Sequence, residues 1–210
     1  MKNLYNFLYI AFCFSFLVLS KQSYSQDKPN PKEIDEIREQ SLNIVYTFDR
    51  YISRIATSSA AGATNVDLLI YRAMDLFIDS TKVVEVSNEK ANTLHKYRIK
   101  QYLFLVANYK KRFAVVDFEA IPYKNINLKA KIVNGVVIGY EATVKYRQVF
   151  KVKKDISIIM EGKPEKKDWD IIEFTDKEVK VFIKKIVDEN NQTIWIIKLG
   201  DIKVISTTTK

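Results

Sequence analysis

Apolar residues recur along this chain at two spacings, and the change from one to the other organises it. From Glu33 to Thr57 the positions Ile34, Ile37, Ile44, Val45, Phe48, Ile52 and Ile55 fall three and four apart, with Ser41 in the same row. That spacing predicts one helix about seven turns long with a single buried stripe. Glu33, Asp35 and Glu36 crowd its first turn, where unpaired N–H groups favour negative charge, and the run Ser58 to Ala63 ends it. A second stripe, Val66, Leu69, Ile70, Ala73, Leu76 and Phe77, predicts a shorter helix capped by Thr64 or Asn65 and closed by Asp79-Ser80. Val83, Val84 and Val86 predict a short strand, and Asn88 to Asn92 a polar loop. Leu94, Tyr97, Tyr102 and Leu105 predict the inward side of a third helix from about Leu94 to Tyr109, capped by Thr93.

Beyond Phe113 the spacing becomes two, the period of a strand. Phe113 to Ala120 predicts a strand stopped by Pro122. Ile126, Leu128, Ala130 and Ile132 alternate with polar residues, and Asn134-Gly135 follows, a pair suited to the positive φ angles of a two-residue hairpin. The return strand places Val136, Ile138, Tyr140, Ala142, Val144, Tyr146, Phe150 and Val152 on one face, with Glu141, Thr143, Lys145, Arg147 and Lys151 opposite. From Val136 to Val152 it would approach ~55 Å, too long to stay flat, and Gly139 is the expected bend. Residues 153–177 break the rhythm, with a short strand at Ile156 to Met160 and a turn near Gly162-Lys163-Pro164. Glu178 to Val187 and Thr193 to Ile205 predict a closing pair of strands. Ile194, Trp195, Ile196 and Ile197 are apolar on both sides, which predicts a central strand covered on both faces.

Ahead of the helices, Lys2, an apolar run from Leu4 to Leu19, and Ser23 and Ser25 before Gln26 follow the order of a bacterial secretory signal. Cleavage after Ser25 places the protein in the periplasm or outside the cell, with membrane contact only during export. The alternative is a retained anchor, although the run falls short of the ~20 residues that span a bilayer. Residues 26–32, with Pro29 and Pro31, predict an irregular leader, residues 33–206 a single domain, and residues 207–210 a frayed tail.

Composition then removes chemistry. Cys13 lies inside the signal, so the mature chain has no disulfide, thiol nucleophile or thiolate ligand. One histidine, His95, leaves no usual zinc site, and no G-x-S-x-G elbow surrounds any serine. The five glycines hold no Walker loop and no dinucleotide fingerprint. No metal and no cofactor are therefore expected. The net charge of +9 loses Lys2 and Lys21 with the signal, and the remaining lysines are spread out or diluted by Asp155, Glu165 and Asp168. That is a solvated surface and not a nucleic-acid footprint.

Helix, helix, short strand, helix and then long strands predict an α+β fold, with three N-terminal helices packed on one face of a strongly curved, mainly antiparallel sheet. Three segments carry a further likeness: Ala73 to Ser80 leading to Val83-Val84-Glu85-Val86, Tyr97 to Tyr109 leading to Phe113-Ala114-Val115-Val116, and the terminal Ile194 to Ile202. In this order the chain resembles the nuclear transport factor 2-like superfamily over roughly residues 34 to 206. The resemblance implies a cystatin-like cone, a bent sheet wrapped about the first helix with a pocket between them. It also implies a homodimer through the outer face of the sheet. Isomerases, dehydratases, ligand binders and inert association domains share that fold, so it does not select a function.

Four residues stand out as pocket candidates. Asp117 and Glu119 leave the same face of one strand and would act as acid and base if that face lined the cone; in the absence of a motif, a solvent-facing pair is the favoured reading. Arg50 and Arg54 share one side of the first helix and could present two guanidinium groups to an anion, although pairing in water with Asp49 and its acidic neighbours is favoured. His95 reads as a surface residue in the first turn of the third helix, and Tyr140 and Tyr146 as core. The leading functional expectation is an exported, non-catalytic domain that engages a partner protein or small ligand through the cone pocket or the sheet face. The alternative is an isomerase or lyase without a cofactor, using pocket carboxylates and tyrosines. A third is an envelope subunit held to a larger assembly by its basic surface.

Overall fold

The computed structural model describes residues 31–58, 63–88, 93–109, 113, 115–123, 126–134, 136–153, 169–187, 189–190 and 193–210. The signal, the first part of the leader and the expected strand at Ile156 to Met160 lie outside the described residues. The long stripe forms one helix, α1 (Pro31–Thr57), which buries Ile37, Ser41, Val45, Phe48, Ile52 and Ile55. It begins within the expected leader, because proline at the first helical position lacks only an N–H that has no partner there. The second helix, α2 (Ala63–Met74), stops short of Phe77. Leu199 explains the early stop: it accepts the Ile78 N–H at 2.9 Å and donates its own N–H to the Leu76 carbonyl at 2.7 Å. Phe77 then packs edge-on against Phe48, with ring centroids 5.0 Å apart.

The third helix is shorter than its pattern predicts. Thr93–Arg98 is a strand, β2, paired antiparallel with β1 (Val83–Asn88), so that Val84 faces Tyr97 and Val86 faces His95. Only then does α3 (Ile99–Ala107) begin. Pairing β1 satisfies a backbone edge that a helix over Leu94 would leave open. The Gln101 side chain accepts the Arg98 N–H at 3.2 Å, and the Ile99 N–H reaches the Lys82 carbonyl at 2.8 Å, which fixes the change of direction. Leu94, assigned by its spacing to the core, is half exposed. The third helix is thus nested among the strands and does not precede them.

The remaining strands are β3 (Val115–Pro122), β4 (Asn127–Val133), β5 (Val136–Lys153), β6 (Ile171–Val187) and β7 (Thr193–Thr209). Together they form one seven-stranded mixed sheet in the order β2-β1-β7-β6-β5-β3, with β4 also on β5. The β1–β7 contact is parallel and the other strand pairs are antiparallel. β6 starts at Ile171, well before Glu178, and the expected tail is strand: Thr207 pairs with Thr175 and Thr209 with Glu173. β3 and β4 share β5, one along each half of its length.

Such a long strand must bend, and the bend falls where the sequence places it. The β4–β5 register slips between Lys131 and Ile132, beside Gly139, whose φ is 158°. A Cβ on Gly139 would run into the Ile183 carbonyl of β6, so glycine permits the close approach. Asn134, with φ 51°, turns the hairpin as its type predicts.

One face of the curved sheet carries the core. Ala142, Val144, Val179, Val181, Leu199 and Ile202 join the buried stripes of all three helices in a single cluster. The opposite face is charged: Lys180 meets Glu141 at 3.0 Å, Lys145 meets Glu178 at 4.0 Å, and Arg147 grips Asp176 at 2.8 and 3.0 Å. Tyr123 and Ser206 also donate to Asp176, and the Arg147 bond leads these contacts in holding its carboxyl down to about 2. β7 is central, yet it is not covered on both faces. Trp195 and Ile197 pack on the core, whereas Ile194 and Ile196 are exposed. Among the described residues no helix is long and apolar enough to cross a membrane.

Gly139→Ala is expected to destabilise the protein by roughly 1–3 kcal/mol, the range of overpacking in a well-packed core. Asn134→Gly, which keeps the turn geometry, should change stability by less than about 0.5 kcal/mol. Urea unfolding of the two variants against the parent protein measures both.

Candidate functional site

Strand β6 builds the site. Its inward row runs Ile171, Glu173, Thr175, Lys177, Val179, Val181 and Ile183, each facing the same side by strand alternation. The three aliphatic residues at one end close the core. The first four line a cavity of about 400 Å³ between the sheet and α3. Helix α3 contributes Tyr102 and Leu105, three apart on its inward face, and Tyr109 follows just beyond its end. Phe118 of β3 and Phe150 of β5 stand 4.9 Å apart by ring centroid, and Tyr109 lies 5.4 Å from Phe150, which makes a continuous aromatic wall. Val86, Ser87, His95 and Tyr97 complete the side formed by β1 and β2.

Lys177 is the unusual member. Its side chain is 3 % exposed, and its Nζ lies 5.8 Å from the centre of the Tyr102 ring. No ion pair or hydrogen bond to another described residue closes on its Nζ, which opens onto the cavity and is not sealed in the core as Asp49 Oδ1 is. Burial disfavours the ammonium and pulls its pKa down to about 8, while the charges of Glu173, Asp49 and Glu85 draw it partly back. Glu173 accepts the Thr175 hydroxyl at 3.3 Å, and Thr207 donates to Thr175 at 3.4 Å and hydrogen-bonds Ser87. Glu85 is fixed elsewhere, accepting the Val204 N–H at 3.0 Å and pairing with Lys96 at 3.2 Å.

Behind the cavity sits a second buried charge. Asp49 of α1 is 8 % exposed, and its Oδ2 accepts the Ala120 N–H of β3 at 2.9 Å. The Gln148 amide approaches the carboxylate, yet no hydrogen bond closes to Oδ1. Burial raises its pKa to about 6; Gln148, Ala120 and the Lys177 charge act against that rise. The Tyr102 and Tyr146 hydroxyls are buried nearby, and burial together with the Asp49 charge pushes both well above the usual phenol range. Both therefore stay protonated, as neutral donors.

None of the four sequence candidates lines this cavity. Asp117 and Glu119 lie on the outer face, where they share Lys151 at 3.1 and 3.4 Å. The alternation of β3 leaves no other choice, because Val116, Phe118 and Ala120 are buried inward. Arg50 is exposed on α1, apart from the cavity. Arg54 lines a separate depression of about 210 Å³ with Ser58, Asn65, Leu68, Leu69 and Arg72. Asp49 does not pair with these arginines in water; it faces the core on the side of the helix that carries Phe48 and Ile52. His95 is exposed on a strand at the rim, its ring 6.1 Å from Tyr97, and not in a helical turn. Tyr140 and Tyr146 are core residues, as their alternation predicts.

The residues that sequence reasoning missed did leave signals. Continuing the Val179–Val181–Ile183 alternation backwards reaches Lys177, Thr175 and Glu173, all polar and all inward. Asp49 is a charge on an apolar helical stripe, between Val45, Phe48 and Ile52. No group of three or more potential metal ligands is present among the described residues.

The Asp49 geometry yields a pH-dependent prediction. Its folded pKa lies above the unfolded value of 3.8, so the folded state holds the proton longer and loses stability as pH rises from about 4 to 6. Asp49→Asn removes that loss while retaining an acceptor for Ala120. The stability of the variant relative to the parent should increase by up to about 3 kcal/mol between pH 4 and pH 7. Asp49→Ala strands the Ala120 N–H and should cost roughly 1–3 kcal/mol at pH 4, where the charge is already neutralised. Urea melts at the two pH values measure each difference.

No protein-family model and no curated protein matches the chain. Among solved structures it is similar to the crystal structure of Kfla4162 protein from Kribbella flavida, at 8% sequence identity and a TM-score of 0.38, over 81% of this chain and 94% of that one.

Proposed function

We propose that this is an exported, non-catalytic binding domain of the nuclear transport factor 2-like kind. In this reading the curved sheet closes as a cone round α1, and the cavity takes a small, largely apolar ligand that carries one neutral hydrogen-bond acceptor. The observation that carries the proposal is Lys177, a largely buried residue whose Nζ opens onto the cavity with no hydrogen bond to another described residue. A buried ammonium without an acceptor is costly, and a ligand oxygen relieves that cost. Charge selects the kind of oxygen. Glu173 and Asp49 already place two carboxyl groups near the ammonium, so an anionic ligand would meet repulsion, whereas a ketone, aldehyde or alcohol would not. The Phe118, Phe150 and Tyr109 rings suit a flat apolar body.

Two other expectations find less support. The enzymatic alternative, an isomerase or lyase using Asp117 and Glu119, meets those carboxylates on the outer face with Lys151. A homodimer or protein partner on the sheet face would have to cover the Lys145–Glu178, Lys180–Glu141 and Arg147–Asp176 pairs, while the large apolar side chains exposed on β7 are Ile194, Ile196 and Ile205. The pocket is the stronger candidate for the binding surface.

Calorimetric titration with naphthalene-sized alcohols, ketones and carboxylates tests the proposal. The neutral compounds should bind, the carboxylates at least about tenfold more weakly, and Lys177→Met should weaken the neutral ones by roughly tenfold, the worth of one charged hydrogen bond. Tighter binding of the carboxylates, or no binding by any compound, would contradict it.

A further inference from the structure

We infer that Lys177 forms a reversible imine with an aldehyde or ketone held in the aromatic cavity. The inference rests on the pocket reading and adds a covalent step to it. Imine formation needs a neutral amine, a dry site that holds the carbonyl carbon beside it, and a group that moves protons. Other lysines of this protein are paired: Lys96, Lys180 and Lys151 each lie 3.0–3.4 Å from a carboxylate. No carboxylate lies within ion-pair distance of Lys177 among the described residues, and it is largely buried with its Nζ at the cavity. With a pKa of about 8, about a tenth of it is neutral at pH 7, against roughly one part in three thousand for a lysine at 10.5.

The chemistry closes without any further reagent. The Nζ lone pair attacks the carbonyl carbon, a C–N bond forms, the carbonyl oxygen gains a proton and the nitrogen loses one. The resulting carbinolamine expels its hydroxyl as water once that oxygen is protonated, and loss of the remaining N–H proton leaves the imine. Glu173 lines the same cavity, hydrogen-bonded to Thr175, and would take and return the proton through one bridging water. While the nitrogen is cationic it lies over the Tyr102 ring, as the ammonium does now.

Incubation of the protein at pH 7 with 2-naphthaldehyde and sodium cyanoborohydride, followed by peptide mass mapping, tests the inference. Lys177 should gain the mass of the aldehyde less its oxygen at least tenfold faster than any other lysine. Its labelling rate should rise with a midpoint near pH 8, with Glu173 from β6, Asp49 from α1, Glu85 from β1 and the Tyr102 hydroxyl from α3 as the titratable groups facing it. 2-Naphthol, which fits the same cavity without a carbonyl, should bind and slow the labelling. Lys177→Arg should lose the modification. Labelling spread evenly over the surface lysines would overturn the imine. If 2-naphthol binds while Lys177 stays unlabelled, the imine falls and the pocket stands; if 2-naphthol fails to bind, the pocket reading itself falls.

Discussion

One row of side chains on β6 has to satisfy two environments at once. Toward Ile183 it joins the core with the stripe of α1 and is aliphatic; toward Glu173 it faces Tyr102 and Leu105 of α3 across the cavity and turns polar. Because successive residues alternate across a strand, the polar end cannot turn outward without exposing Val179, Val181 and Ile183. Lys177 and Thr175 are therefore held inside by the same alternation that builds the core. The cavity is the space left between this polar end of the sheet and α3. The bend at Gly139 and the two offsets between β6 and β7 curve the sheet around that space.

Buried charge makes this arrangement expensive, and the structure offsets part of the cost. Asp49 gives one oxygen to the Ala120 N–H, which ties the long helix to the strand that supplies Phe118. Replacing such a group by a well-packed apolar one is often neutral or stabilising, so the contact is better understood as fixing position than as adding stability. It sets how far α1 stands from the aromatic wall. Lys177 receives no equivalent partner among the described residues, only the distant charges of Glu173, Asp49 and Glu85. The protein keeps an unmatched donor at the place where a small molecule could reach it.

Much of the scaffold was legible because it follows from local periodicity. The α1 stripe, the Asn134 turn and the Gly139 bend were each readable from a few residues whose backbone preferences leave little choice. The errors came where partners distant in sequence decide. Leu94 and Tyr97 have helical spacing, but β1 needed a neighbour and took Thr93–Arg98 as a strand. Ser206 to Thr209 look like a polar tail, and become strand because β6 offers Glu173 to Asp176 as partners. The site was the least legible part. Chemical type points to carboxylates and arginines, whereas the structure selects by face, and the inward face of β6 holds a lysine. Asp49 shows the same lesson on a helix, since a charge in an apolar row was read as solvated.

The account turns on the state of a single amine. NMR titration of the Lys177 ε-carbon in protein labelled with ¹³C at that position, assigned by loss of the signal in Lys177→Arg, measures it directly. A midpoint near pH 8 is predicted, because burial disfavours the ammonium more than the charges of Glu173, Asp49 and Glu85 restore it. A midpoint at 10.5, the value of a lysine in water, would contradict the buried, unpaired donor on which the proposed pocket chemistry rests.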